Sequence, residues 1–397
     1  MISEKIKILT AGNSAIRAMF EEGNRLAALY GRDKVYDFSL GNPNFPAPDS
    51  VRQAMMDELS NEDPVLLHGY MPNVGYEDVR KAVADNLNER FGTGFQANNI
   101  LMTVGAAGAL NVILKTLLNP GDEVLTVSPY FLEYGNYVSN YGGRLIPVPA
   151  KADTFMLDCE AVRAAITPKT KGIILNNPNN PTGVVYGEAE IRELAAVLEE
   201  RQKALGMPIY LISDEPYREL CYDGRTAPFL TKYYANTILG YSWSKSLSLP
   251  GERIGYVCVP DACEDHDLVF KAAGIANRIL GFVNAPSLQQ RAVARCLGDC
   301  TCNLDKYDAN RRLLYGELTA MGYTCVKPQG AFYLWMKTPG EESAFVEAAK
   351  KYHILFVGGS NFNCSGYVRI AYCVSPDTIR GSLPGFSALY KEFQIER

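Results

Sequence analysis

The chain has 397 residues, 47% of them apolar and 21% charged, with a formal net charge of -5; this is ordinary globular composition and is long enough for a large domain with a companion. Lysine and arginine are scattered rather than clustered, which excludes a basic nucleic-acid groove, and ten cysteines without a secretory signal read as reduced thiols. Three histidines (His68, His266, His353) and no CxxC pair leave no basis for a metal centre or a histidine-dependent triad, even at the Cys296, Cys300 and Cys302 cluster.

The N-terminal stretch MISEKIKILTAGNSAIRAMF carries charges at short intervals and no apolar run long enough for a signal peptide or a membrane span, so a cytoplasmic location is expected. Residues 1–45 are too short to fold alone and are expected to pack with a small domain. From Ile100 to Pro260, apolar runs at 100–104, 123–127, 144–148, 172–175, 209–213, 237–241 and 254–259 predict seven strands. Their continuous apolar character indicates cover on both faces. Intervening helical segments such as AEIRELAAVLEERQKAL make the sheet mostly parallel. The expected fold is α/β, with this sheet in a large domain of residues 46–285. Beyond it, ARCLGDCTCNLDKYDANRRLLYGELTAMG predicts one long charged helix, followed by strand-like YLWM and YVRIAY; a smaller α+β domain of residues 286–397 fits this pattern.

In open parallel sheets ligands bind beyond the carboxyl ends of the strands, and the residues that follow these runs carry chemistry. After ILMTV, the segment GAAGALNVILKTLL opens at Gly105 with small residues that leave backbone N–H groups facing an anion; the same residues would also serve close helix packing. After GIIL, the loop NNPNNPTG (residues 176–183) is either a rigid, amide-rich site loop or a plain Asx turn. After IYLIS comes DEPY, where Asp214 either caps a turn or faces a cation. The stretch YSWSKSLSLPGERIGY puts Lys245 at the end of a buried run, where burial depresses its pKa and leaves an amine nucleophilic toward carbonyls. Ser242 and Arg253 nearby are potential anion ligands, and Arg253 could equally be a structural salt-bridge residue. An anion cradle, a planar clamp of Asn180 and Tyr217, a carboxylate and an amine together suit pyridoxal 5'-phosphate, which forms a Schiff base with lysine while an aspartate keeps its ring nitrogen protonated.

With NPNNPTG, SDEPY, SWSK and GERIGY in this order and VRIAY near the C-terminus, the chain resembles the fold-type I pyridoxal-phosphate aminotransferases of the class I/II (aspartate aminotransferase-like) family over essentially its whole length. The resemblance implies exchange of an amino group between an L-amino acid and a 2-oxo acid. It implies Lys245 as the Schiff-base lysine and proton shuttle, Asp214 as the partner of the ring nitrogen, and Asn180 with Tyr217 at the ring hydroxyl. Ser242 and Arg253, with the backbone amides around Gly105, Ala106 and Ala107, are implied as phosphate ligands, and Phe131 as the ring that stacks on the cofactor. Arg369 is implied as the bidentate grip on the substrate carboxylate, and Gly41 as a lining of the substrate pocket. Tyr70 is similar to a tyrosine that reaches a phosphate in the neighbouring subunit, which implies a homodimer with shared sites. Ala106 and Ala107 stand where many relatives carry a hydroxyl or a lysine, and Glu252 where a tryptophan is frequent, which puts dicarboxylate specificity in doubt.

The same constellation would serve a β-elimination C–S lyase, an aminocyclopropane-carboxylate synthase or a decarboxylase. Ser242 to Lys245 also fits the S-x-x-K spacing of serine acyl-enzymes, but the companion elements Ser213-Asp214-Glu215 and Lys337-Thr338-Pro339 are near misses and the first precedes it. A cofactor-binding sensor would need a basic N-terminal helix for DNA, which the first 40 residues do not supply.

Overall fold

In a computed structural model that describes residues 2–11 and 15–395, all seven expected runs form strands of one sheet. After the helix Ala15–Tyr30 the chain makes a short strand β1 (Tyr36–Asp37). It then builds the sheet from β2 (Ile100–Thr103), β3 (Glu123–Ser128), β4 (Arg144–Pro149), β5 (Thr170–Asn176), β6 (Tyr210–Asp214), β7 (Thr237–Ser242) and β8 (Gly255–Cys258). Their order is β2-β8-β7-β6-β5-β3-β4. Every pairing is parallel except the two made by β8, which runs against both its neighbours.

The apolar runs have a simple cause. Along β5, Ile173 and Leu175 pack into the core under the helix Glu188–Leu205, while Ile174 points the other way into the core under the helix Gly105–Leu117. A strand covered on both faces must be apolar at every position, and each such side chain contributes on the order of 2 kcal/mol on burial. The edge strand β4 departs from the expected double cover: Arg144, Pro147 and Pro149 are exposed. Proline has no N–H to donate and is tolerated where no further strand needs one.

The smaller part is built from β9 (Cys325–Val326), β10 (Tyr333–Lys337), β11 (Ile354–Leu355), β12 (Val357–Gly358) and β13 (Tyr367–Ala371). Four of these form an antiparallel sheet in the order β12-β13-β10-β9, and β11 pairs in parallel with β1. Phe38 is buried in the core of this part beside Phe386, and its carbonyl accepts the Ala371 amide at 2.9 Å. This stitching delivers Ser39, Leu40 and Gly41 to the cleft between the two parts.

The single long helix expected from residue 294 onward is broken. One helix ends at Ala294, a short turn covers Leu297–Asp299, and the next helix runs Leu304–Ala320. Cys296 and Cys300 are buried in the core beside the helices Asp49–Asn61 and Glu77–Phe91, and Asp299 accepts a 2.6 Å hydrogen bond from Ser50 Oγ. These tertiary contacts override the charge pattern, helped by the weak helix formers Gly298, Thr301 and Asn303. The helix Ser287–Ala294 packs into the same core, so packing of the large part continues past the residue-285 division expected from sequence. All ten cysteines are free thiols.

Candidate active site

Strands β5 and β6 end level with one another, Asn176 in register with Asp214, and β7, where Gly240 is in register with Asp214, runs on to Ser242. At the same end Thr103 pairs with Gly255, and Gly255 with Ser242, so the reversed strand β8 begins where β2 and β7 finish. The turn leading into β8 therefore sets Arg253 beside the first turn of the helix Gly105–Leu117. Gly255 is needed for this approach, since a Cβ there would overlap the Tyr241 carbonyl. Gly105 has φ +75°, and a Cβ on it would lie 3.0 Å from Arg253 Nη2. Arg253 is itself in the left-handed region, and its Nη1 donates to the Pro250 carbonyl at 2.9 Å. A helix N-terminus and a guanidinium thus face the same space, an arrangement suited to an anion.

A cavity of about 350 Å³ opens over these strand ends. Lys245 enters it from the short helix Trp243–Ser246 that follows β7. The amine is half-buried, donates to the Gly41 carbonyl at 2.6 Å, and has no carboxylate partner among the described residues. Burial lowers its pKa from 10.5 to about 8; the Cys373 thiol opposes this shift, and the charges of Arg369 and Arg253 assist it.

Asp214 ends β6 and is 6% exposed. Its carboxylate accepts from Tyr134 Oη at 2.5 Å and Asn176 Nδ2 at 3.4 Å, both neutral donors. Burial pushes its pKa from 3.8 up to about 7, against the Tyr134 hydrogen bond and with a smaller push from Glu215. Arg369, on β13, is 2% exposed. Nη1 donates to Asn180 Oδ1 at 3.0 Å, Nη2 donates to the Ser39 carbonyl at 2.7 Å, and Nε has no partner. The guanidinium lies over the Tyr333 and Phe362 rings at 4.5 and 4.8 Å. Among the described residues no carboxylate pairs with it. A buried cation held only by neutral acceptors is costly until an anion completes it.

The asparagine-rich loop is held by its own amides. Asn176 Oδ1 accepts the Asn180 amide at 2.7 Å, Asn177 brackets the backbone of Tyr186, and Asn179 accepts from Thr182. The side chain of Asn180 consequently reaches the cavity at a fixed position, and Tyr217, three residues beyond the end of β6, lines the same cavity. Gly41, Ala106, Ala107, Phe131 and Ser242 complete the set that the structure brings to this one cavity. Gly105 stands just behind it, against Arg253. Tyr70 does not reach it: the side chain is 95% exposed and lines a separate hollow with His68, Phe282 and Val283.

Among the residues that escape the sequence reading are four that hydrogen-bond or stack on the predicted site residues. Tyr134 hydrogen-bonds Asp214 from the helix Glu133–Asn140, and its nearness in sequence to Phe131, whose ring it meets edge to face at 5.7 Å, is the signal that could reveal it. Asn176 belongs to the quoted loop, but its bond to Asp214 depends on the register of β5 and β6. Ser39 offers only its carbonyl, and Tyr333 sits in a run that reads simply as a strand; neither has a local signature.

Comparison with known proteins agrees with this geometry. The family described as "Aminotransferase class I and II" matches residues 33–382. A probable aspartate/prephenate aminotransferase of Thermus aquaticus is 32% identical over 355 residues, covering 88% of this chain and 90% of that one. A probable N-acetyl-LL-diaminopimelate aminotransferase of Bacillus subtilis (strain 168) is 30% identical, with 88% of each chain covered. The crystal structure of an amino transferase from Eubacterium rectale superposes with a TM-score of 0.96 at 45% identity, covering 99% of both chains. The chain belongs to the class I and II aminotransferases, pyridoxal-phosphate enzymes that exchange an amino group between an L-amino acid and a 2-oxo acid.

Proposed function

We propose that this chain holds pyridoxal 5'-phosphate at the cavity through Lys245 and acts there on an amino acid whose α-carboxylate is taken by Arg369. One observation carries the reading: a single cavity joins a lysine lowered to about pKa 8, a buried carboxylate and a buried guanidinium, none of them paired with an opposite charge among the described residues. A phosphorylated pyridine aldehyde and an amino acid supply a match for each of the three. When bound, the cofactor provides a conjugated ring that accepts the electron pair left at Cα as its C–H bond breaks.

The protein's part follows from its side chains. Lys245 Nζ would hold the cofactor's carbonyl carbon covalently; displaced by the substrate amine, it would take the proton from Cα and return it on the cofactor side, a task suited to an amine with pKa near 8. Asp214 would hold the proton on the ring nitrogen, with Tyr134 and Asn176 fixing its orientation. Ser242, Arg253 and the amides that open the helix at Gly105, Ala106 and Ala107 would bind the phosphate, Asn180 and Tyr217 the ring hydroxyl, and Phe131 a face of the ring. Gly41 keeps its carbonyl at Lys245 and leaves the substrate room.

The reading includes a homodimer. Tyr70 is almost fully exposed on a face that also shows Val65, Leu66 and Val283, which supports its insertion into a partner's site. No helix among the described residues is long and apolar enough to cross a membrane, and a cytoplasmic location is part of the proposal.

The visible spectrum of the purified protein tests it. A yellow band that bleaches stoichiometrically with an L-amino acid and returns with a 2-oxo acid is the expected result. A band that persists while pyruvate or ammonia accumulates would replace transfer by elimination, and no band after reconstitution would refute the cofactor assignment. Sedimentation that gave a fully active monomer would remove Tyr70 from the site.

A further inference from the structure

Tyr333 lines the cavity and has no role among the residues assigned above. It opens β10 and is 2% exposed. Its hydroxyl lies 2.8 Å from that of Tyr217, and the two rings meet edge to face at 5.7 Å. Its own ring carries the Arg369 guanidinium at 4.5 Å. A Cβ on Gly41 would overlap the Tyr333 hydroxyl, so Gly41 can offer its carbonyl to Lys245 only because it has no side chain. One tyrosine therefore touches the clamp at the ring hydroxyl, the carboxylate grip and the residue that anchors the lysine.

We infer that Tyr333 is a positioning residue of this aminotransferase: its hydroxyl donates to Tyr217 Oη, which leaves the Tyr217 proton directed into the cavity, and its ring fixes the Arg369 guanidinium. The inference rests on the reading of Tyr217 as the partner of the cofactor's ring hydroxyl. The direction of the hydrogen bond follows from counting partners. A phenol has one proton to give and lone pairs to accept with, and Tyr217 is the hydrogen-bond partner the structure gives to the Tyr333 hydroxyl. Both hydroxyls line the cavity, and among the described residues each has the other as its hydrogen-bond partner; once the single Tyr217 proton is given to the cofactor's ring oxygen, Tyr217 Oη has only lone pairs left for the pair, and the Tyr333 hydroxyl is the donor. The charged and titratable groups facing the pair are Arg369, Asp214 and the Cys373 thiol. Arg369 favours lone pairs turned toward it, and Asp214 is already engaged by Tyr134 and Asn176.

A hydroxyl that accepts a hydrogen bond is a stronger donor, by roughly 10–30% per bond. Tyr333 would thus strengthen the donation from Tyr217 to the cofactor's ring oxygen. Drawing charge from that oxygen weakens its hold on the proton at the nitrogen of the Lys245 linkage, so this proton leaves at lower pH than it otherwise would.

The test is the pH midpoint of the visible band in reconstituted holoenzyme, measured for the wild type, Tyr217→Phe, Tyr333→Phe and the double variant. Tyr217→Phe is expected to raise the midpoint; Tyr333→Phe is expected to raise it by less, and the double variant no further than Tyr217→Phe alone, since the second hydroxyl acts only through the first. Because the ring remains, Tyr333→Phe should keep KM for the amino acid, whereas Tyr333→Leu should raise it through loss of the platform under Arg369. If Tyr217→Phe shifts the midpoint while Tyr333→Phe leaves it in place, or if the two shifts add, the inference is overturned and the reading of Tyr217 stands. If neither variant moves it, the reading of Tyr217 itself has failed.

Discussion

Replacing Asp214 by asparagine should make the cofactor-free protein more stable above neutral pH while weakening its grip on the cofactor. Asp214 is buried with only neutral partners, and burial pushes its carboxyl from 3.8 up to about 7. In the unfolded chain the same group titrates near the ordinary aspartate value of about 3.9. Between these values the folded protein retains a proton that the unfolded chain has lost, so stability falls as pH rises. The contribution is fully present below about pH 4 and is lost as pH climbs through about 7, the sign expected of an acid whose folded pKa is raised. The rise from about 3.9 to about 7 makes this loss on the order of 4 kcal/mol. Asparagine cannot ionise, and its side-chain carbonyl can still accept from Tyr134. The difference in unfolding free energy between variant and wild type, taken from urea melts of both cofactor-free proteins, should therefore drift toward the variant by about that amount from about pH 4 to about pH 9. Groups that titrate alike in the two proteins cancel in this difference. A difference flat with pH would mean that Asp214 is solvated or already paired, and would refute the argument from burial. The same substitution removes the negative charge proposed to face the cofactor's ring nitrogen, so on that reading cofactor affinity should fall as apo-stability rises, a trade between stability and function.

Two further outcomes follow from the unpaired cations. Arg369→Ala should raise KM for amino acids on the order of 100-fold, since a charge-assisted bidentate contact is worth about 3 kcal/mol, while the bound cofactor measured from the visible band stays unchanged; unaltered amino-acid kinetics would remove Arg369 from the substrate site. In cofactor-free protein, Lys245 should be reductively methylated with a pH midpoint near 8, where burial sets its pKa; peptide mapping that puts its midpoint near the free-lysine value of about 10.4 would contradict its depressed pKa.

The sheet is legible in the sequence because a strand covered on both faces must be apolar throughout, as Ile173, Ile174 and Leu175 show. Much of the site is legible for a related reason: strand ends are where the chain can show a functional group without disturbing the core, so Asp214, Ser242, Lys245 and the loop after Asn176 stand out against the apolar runs they follow. The broken helix around Cys296 is not legible, because its cause is burial against helices far away in sequence. Tyr70 shows the opposite limit, since its side chain lies outside the cavity of its own chain and its place at a site belongs to the proposed dimer. Tyr333 is the more instructive omission. In YLWM it is one more strand residue, and its partner hydroxyl is 116 positions earlier in the chain. Even the glycine at 41 has its steric reason in that tyrosine. Periodicity reports where strands stop, but which hydroxyls share a proton is decided where the small part closes over the large one, and pairings made there leave no period to read.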